Sequence, residues 1–371
     1  MTTTISLPLP LRQQADIRDQ WLIKRRNVLL PELMDRTGID FWIVLCREYN
    51  EDPVALSLVP ATWLSARRRT ILMFQRTADG VRAISASKYP IDGYEHTWTD
   101  HTTDQWATVQ HVINDANPRV IAVDISETFA LADGVSHTEY EALVAALGSN
   151  ADRIVPAEPL AIGWLERRLP EEIDAAHRLN ELAHQVIAEA FSRETITVGT
   201  TTTADVGWWI RQRFHDLGVE PWFQPTVDRQ HHQPGTQTGL DDYPAIFMNR
   251  DDPIQAGDIL HCDVGLKTLG LCTDTQQIAY VLPEGQSAPP AGLVDALRTG
   301  NRMQEITTAE WKPGVTGNDA LASALAAAKA EGIDGAIYSH PVGTHGHAAG
   351  PTIGMWDNHG RTNGQGDYPF F

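Results

Sequence analysis

The sequence predicts two units: an α/β unit over residues 1–165 and an α+β unit over residues 166–371. Three observations predict it. At 371 residues the chain exceeds what one small core fills. Short apolar, β-branched runs alternate with helix-like segments in the first part, whereas helix pairs frame a strand-rich centre in the second. Between them, Pro156, Pro159 and Pro170 punctuate "RIVPAEPLAIGWLERRLPEEID" (153–174), the make-up of a boundary.

In the first unit, "FWIVLCR" (41–47), "RTILMFQR" (69–76), "VRAISA" (81–86) and "RVIAVDIS" (119–126) read as buried or half-buried strands. Helices are predicted over 16–38 and 137–148, the latter stopped by Gly148. Neither a phosphate loop nor a G-x-G-x-x-G run accompanies them. In the second unit Pro170 suits the first turn of a helix. From there Ile173, Ala176, Leu179, Ala183, Val186, Ile187 and Ala190 recur at helical spacing and mark one apolar face. Another helix follows Thr203, with Trp208 and Trp209 expected in the core, and stops at Gly218. A last pair is predicted over 293–311 and 317–332.

Composition narrows the function classes. With 42% hydrophobic and 21% charged residues the chain reads as an ordinary globular protein. No apolar run is long enough to span a membrane, and the start lacks a basic-then-apolar leader, so a cytoplasmic location is expected. A formal charge of −19 without a Lys/Arg stripe argues against nucleic acid and suits a cationic substrate or metal. Cys46, Cys262 and Cys272 contain no C-x-x-C pair and read as buried, reduced thiols.

The chemistry gathers in "GDILHCDVGLKTLGLCTDTQQIAYV" (257–281), where two apolar segments flank "LKTLGL" as a hairpin. A turn centred on Thr268–Leu269 would put Asp263 directly opposite Asp274. Two carboxylates so close on apolar strands repel and raise a pKa unless a cation neutralises them. Carboxylate oxygens plus an imidazole suit Mn, Co, Fe or Zn. Candidate imidazoles stand in "YSHPVGTHGHAAGP", where His340 and His347 are seven residues apart with His345 between them.

The order D-x-G-x8-D, helix pair, H-x6-H resembles the creatinase/Xaa-Pro aminopeptidase/methionine aminopeptidase family of pita-bread metallohydrolases. The resemblance rests on "LPEEIDAAHRLNELAH", Gly257–Asp258, Asp263–Val264–Gly265, Gly270, Asp274 and the histidine loop, over about residues 169–371. It implies a creatinase-like α/β domain followed by a pita-bread domain, in the Xaa-Pro peptidase and creatinase branch. It also implies a dinuclear site of two divalent ions (Mn, Co or Zn), with Asp263 on one, Asp274 bridging both and His340 as a further ligand. His347 would stand near the scissile carbonyl, so that His340 and His347 carry the catalysis, and His345 would be spare. A peptide or small amide is the implied substrate, a homodimer the implied assembly.

Two departures are visible. Past His340 the chain has no glutamate, only Asp357 and Asp367, whereas the family places two glutamate ligands there. A C-terminally truncated, impaired site lacking its last strands is the expectation, with a metal-independent creatinase-like hydrolase or a non-catalytic binding and dimerisation module as alternatives. The family's substrate-facing histidine falls near Ile246 or Phe247, so His231 and His232 become the nearest candidates for substrate contact. Trp222 and Phe223, beside Pro221 and Pro225, are candidates to line a pocket for a proline ring.

Overall fold

The computed structural model describes residues 9–231 and 252–371. The chain opens with helix α1 (Leu11–Thr37), ended by Gly38 in the left-handed conformation. Strand β1 (Phe41–Arg47) then pairs antiparallel with β2 (Arg69–Thr77), which pairs antiparallel with β3 (Gly80–Ala86). After β4 (Glu95–His96) and α2 (Gln105–Ala116), β5 (Ile121–Val123) lies parallel to β1. Helix α3 (His137–Leu147) precedes β6 (Ile154–Pro156), which completes a mixed six-stranded sheet of order β4-β3-β2-β1-β5-β6. Period-two alternation explains its two buried faces. Phe41, Ile43, Leu45, Ile71 and Met73 pack with Val109, Ile113 and Leu143 of α2 and α3, while Trp42, Val44, Leu72 and Phe74 join the cluster containing α1.

The proline-rich stretch is no loop. Pro159 sits in the first turn of helix α4 (Glu158–Glu166), whose Leu160, Ala161, Ile162, Trp164 and Leu165 are all buried. Proline at a helix start costs no hydrogen bond, so it opens the helix. Helix α5 (Pro170–Ala190) follows, and buried Arg25 of α1 ties it to the first sheet's layer. Arg25 pairs with Glu172 at 2.8 Å, donates to the carbonyls of Trp164 and Arg167, and stacks over the Trp164 ring. Glu172 in turn accepts from the Leu169 amide at 2.7 Å, capping α5.

Helix α6 (Thr203–Asp216) buries Val206, Ile210 and Phe214. Trp208, expected in the core, is instead 61% exposed, because it lies about 200° around the helix from Val206. Two small sheets follow: β7 (Glu220–Pro221), β8 (Thr226–Gln230), β9 (Ile259–Val264), β10 (Leu266–Thr268), β11 (Leu271–Cys272) and β12 (Thr275–Tyr280) pair as β11-β10-β7 and β12-β9-β8. Val227, Leu260, Cys262 and Val264 face the core shared with α5 and α6, leaving Thr226, Asp228, His261, Asp263 and Gln276 on the other face. Helices α7 (Ala291–Ala309) and α8 (Gly317–Ala330) form a separate apolar cluster with Ile337 and Ile353. No helix among the described residues is long and apolar enough to cross a membrane.

Candidate active site

The hairpin from β9 to β12 sets the register of the two aspartates, and its turn differs from the expected one. Thr268 pairs with Leu271, so the two loop residues are Leu269 and Gly270, at φ 54° and 74°. A tight hairpin of this kind needs positive φ at both central positions, which glycine supplies freely and Leu269 adopts with its side chain buried. The shift of the turn slides the partner strand by two residues. Asp263 therefore opposes Gln276, and Asp274 lies on the diagonal, on the same face, just before β12. Because the slip is even, the carboxylates still meet.

Asp274 and Asp263 stand close enough to share a hydrogen bond. Burial, then the charge of Asp274, pushes the Asp263 carboxyl up to about 7. Its Oδ1 is buried without a hydrogen-bond partner. The histidine loop closes over this pair. Ser339 and Ile353 exchange two backbone bonds at its base, and the Cys272 amide donates to the Gly343 carbonyl at 2.7 Å. His340 Nε2 comes to 3.2 Å from Asp274 Oδ2, while its Nδ1 is 2.9 Å from the carbonyl of Pro341. A carbonyl only accepts, so Nδ1 carries the proton in that contact. Nε2 then meets an anionic oxygen and needs a cation between them, either a proton or a metal ion. Burial opposes a charged His340, but the hydrogen bond to Asp274 prevails and the pKa is raised.

His347 completes the group. Its ring is perpendicular to that of His340 with centroids 4.5 Å apart, and burial followed by the His340 charge lowers its pKa. One donor atom each from Asp274, His340 and His347 lie within 4.8 Å of one another. This donor set, the orphaned Asp263 oxygen and the fixed His340 tautomer fit a divalent metal ion. A cleft of about 770 Å³ opens beside it, lined by Asp274, His340, Asn180, Glu166, Tyr338 and Trp311.

The model of metallopeptidase family M24 matches residues 171–366, which hold every one of these donors. The chain belongs to metallopeptidase family M24. This M24 chain is therefore a peptidase-like hydrolase of a divalent-metal-dependent family, with peptides as its substrate class. No curated protein matches it in sequence. Among solved structures it is similar to an X-Pro aminopeptidase from Thermotoga maritima, with TM-score 0.58 and 16% identity over 88% of this chain and 85% of that one. It is also similar to an Xaa-Pro dipeptidase from Bacillus anthracis, with TM-score 0.57 and 15% identity over 93% and 85% of the two chains. A prolidase from Pyrococcus furiosus aligns with TM-score 0.53 and 16% identity over 90% and 88%. At such identity the likeness speaks for the creatinase-type, pita-bread fold.

The other candidates are placed differently. His231 of the M24 chain binds Asp258, a fully buried carboxylate that also accepts from Arg229 and the Gln255 amide. Thr226 opposes Asp263 and Gln230 opposes Ile259, so His231, five residues past Thr226, stands about 16 Å along the strand from Asp263. His232, Ile246 and Phe247 lie outside the described residues. Trp222 is wedged between Gly265 and Gly346, where a Cβ would meet its indole at 1.9 and 2.2 Å. Its Nε1 donates to the Thr273 carbonyl at 2.6 Å, and its ring sits edge-on to His347. It braces the histidine loop and is absent from the cleft wall. Sequence reasoning missed Glu166, whose buried, unpartnered Oε2 and burial-raised pKa of about 7 place a protonatable carboxyl on the cleft. Its sole sequence signal was Pro159, read as punctuation instead of as a helix start.

Proposed function

We propose that the cleft hydrolyses the amide bond preceding proline, as an Xaa-Pro aminopeptidase or dipeptidase. The observation that carries this reading is the His340–Asp274 contact at 3.2 Å with the orphaned Asp263 oxygen beside it. The Xaa-Pro peptidases among the similar structures support the substrate. Asp263, Asp274 and His340 would hold the divalent metal. When bound, such ions lower the pKa of water toward neutrality and polarise the scissile carbonyl.

The chain's own residues do the rest. The Pro341 carbonyl fixes the tautomer of His340 and keeps Nε2 aimed at Asp274. Neutral His347 has one N–H to offer to negative charge developing on the substrate oxygen, and Trp222 keeps the ring in place. Glu166, protonated near neutrality, can exchange a proton with the departing amine. The three free, buried cysteines accord with a reducing, cytoplasmic setting.

The test is hydrolysis of Ala-Pro and Ala-Pro-Xaa peptides by protein loaded with Mn, Co or Zn, against chelated protein and Ala-Ala controls. Metal-dependent release of the residue before proline supports the reading; cleavage of Ala-Ala at equal rate, or none in any metal, removes it. A second reading rests on the same contact with a proton in place of the metal, which makes a metal-independent C–N hydrolase. Turnover of creatine by chelated protein would favour it.

A further inference from the structure

The histidine loop has one more anchor, and it reaches across the molecule. His345 Nε2 lies 3.2 Å from the carbonyl of Pro53, a residue 292 positions earlier in the chain. The carbonyl only accepts, so His345 donates through Nε2–H, which a neutral imidazole can do. Among the described residues, the loop's other hydrogen bonds come from the second half. Cys272 donates its amide to Gly343 and its thiol to the Thr344 carbonyl, Ala348 bonds back to Pro341, and Trp222 abuts Gly346.

Pro53 is itself held firmly. Asp52, 1% exposed, accepts from the Val54 amide at 2.8 Å and presses on Gly134, where a Cβ would come within 2.2 Å of it. Its carboxyl neighbours that of Asp124, which accepts from the indole N–H of Trp42 on β1 at 2.7 Å. A continuous chain of contacts thus runs from the six-stranded sheet through Asp124, Asp52 and Pro53 to His345. On either side of His345 stand His340 and His347.

We propose that His345 is a positioning residue: its bond to the Pro53 carbonyl registers the histidine loop, and with it His340 and His347, against the first sheet. The inference rests on the hydrolase reading only for its effect on turnover; the anchoring itself is independent of it. Loss of the donor frees the Gly343–Gly346 segment to lift from Cys272, whose thiol lies beneath the Thr344 carbonyl.

The test compares wild type with His345→Leu, His345→Asn and His345→Gln by timed iodoacetamide labelling, read by peptide mass for each cysteine. Gln can present an N–H close to the position of Nε2; Asn is too short, and Leu has no donor. We expect Cys272 labelling to rise about tenfold in the Leu and Asn variants and to return within twofold of wild type in the Gln variant. Cys46, buried in the first sheet, should stay protected throughout and reports intact folding. If Leu disrupts folding and Cys46 labels too, the Asn variant decides. Unchanged Cys272 protection in folded His345→Asn, or no recovery in His345→Gln, overturns the proposal. With Ala-Pro substrates the Leu and Asn variants should lose kcat about tenfold or more at little-changed KM. Altered labelling without hydrolysis in any variant or in wild type refutes the hydrolase reading and leaves the anchoring intact.

Discussion

His340 faces Asp274 with Nε2 at 3.2 Å while its other nitrogen is committed to the Pro341 carbonyl. Beside them Asp263 is held up near 7 by burial and by the Asp274 charge. On the proposed reading a proton and a metal ion compete for the same atoms.

The competition sets a pH dependence. Affinity for Mn or Co, measured by isothermal titration, should tighten about tenfold or more between pH 6 and pH 8, with protons released on binding. In metal-free protein the sign reverses for stability. Asp263 rises from an ordinary 3.8 to about 7, so the folded state holds a proton that the unfolded chain releases. Stability from this group is present below pH 4 and is lost as pH climbs through 7. Asp263→Asn should thus abolish high-affinity metal binding yet raise metal-free stability at pH 8 by about 1 kcal/mol, a figure reduced for partial exposure. Equal metal affinity at both pH values would sink this account.

The Asp52–Asp124 pair gives a second pH effect away from the site. Burial, ahead of neighbouring hydrogen bonds and charges, raises Asp52 to about 6, and burial with the Asp52 charge raises Asp124 as well. The pair's contribution falls as pH rises from about 4 through 6 and beyond. Asp124→Asn keeps an acceptor for Trp42 and adds a donor toward Asp52. It should stabilise the protein by about 1–2 kcal/mol at pH 8 and flatten the pH profile of Tm.

Arg25 and Glu172 are both 6% exposed and span α1 and α5. Arg25→Met strands the carboxylate, so urea denaturation should show a loss of about 3–5 kcal/mol. Adding Glu172→Gln should recover part of it, since the side chain can still cap α5 without a buried charge.

Gly346→Ala puts a methyl into the Trp222 ring, which Gly265 blocks from retreating. We expect destabilisation of about 1–3 kcal/mol and a displaced His347. Gly292→Ala, in open space on α7, should cost nothing and serves as the control.

Some of this was legible locally. Asp263 and Asp274 could be named from the hairpin, and His340 and His347 from the resemblance of their loop to the family's. Helix α5 announced itself by apolar periodicity and α6 by its terminal signals. The misreadings were also local in cause. Placing the turn at Thr268–Leu269 overlooked that Gly270 belongs at the second positive-φ position, and reading Pro159 as a break overlooked its fitness for a helix start.

The sequence by itself determined the donor types and the α/β alternation, because carboxylates, imidazoles and hydrophobic periods are properties of the residues themselves. Only the tertiary structure decided which donors lie together, that Trp222 braces the loop, and that His345 has a partner. Those depend on backbone carbonyls and register. The carbonyl of Pro53 is chemically like any other, and only folding brings it to the one imidazole that had seemed spare.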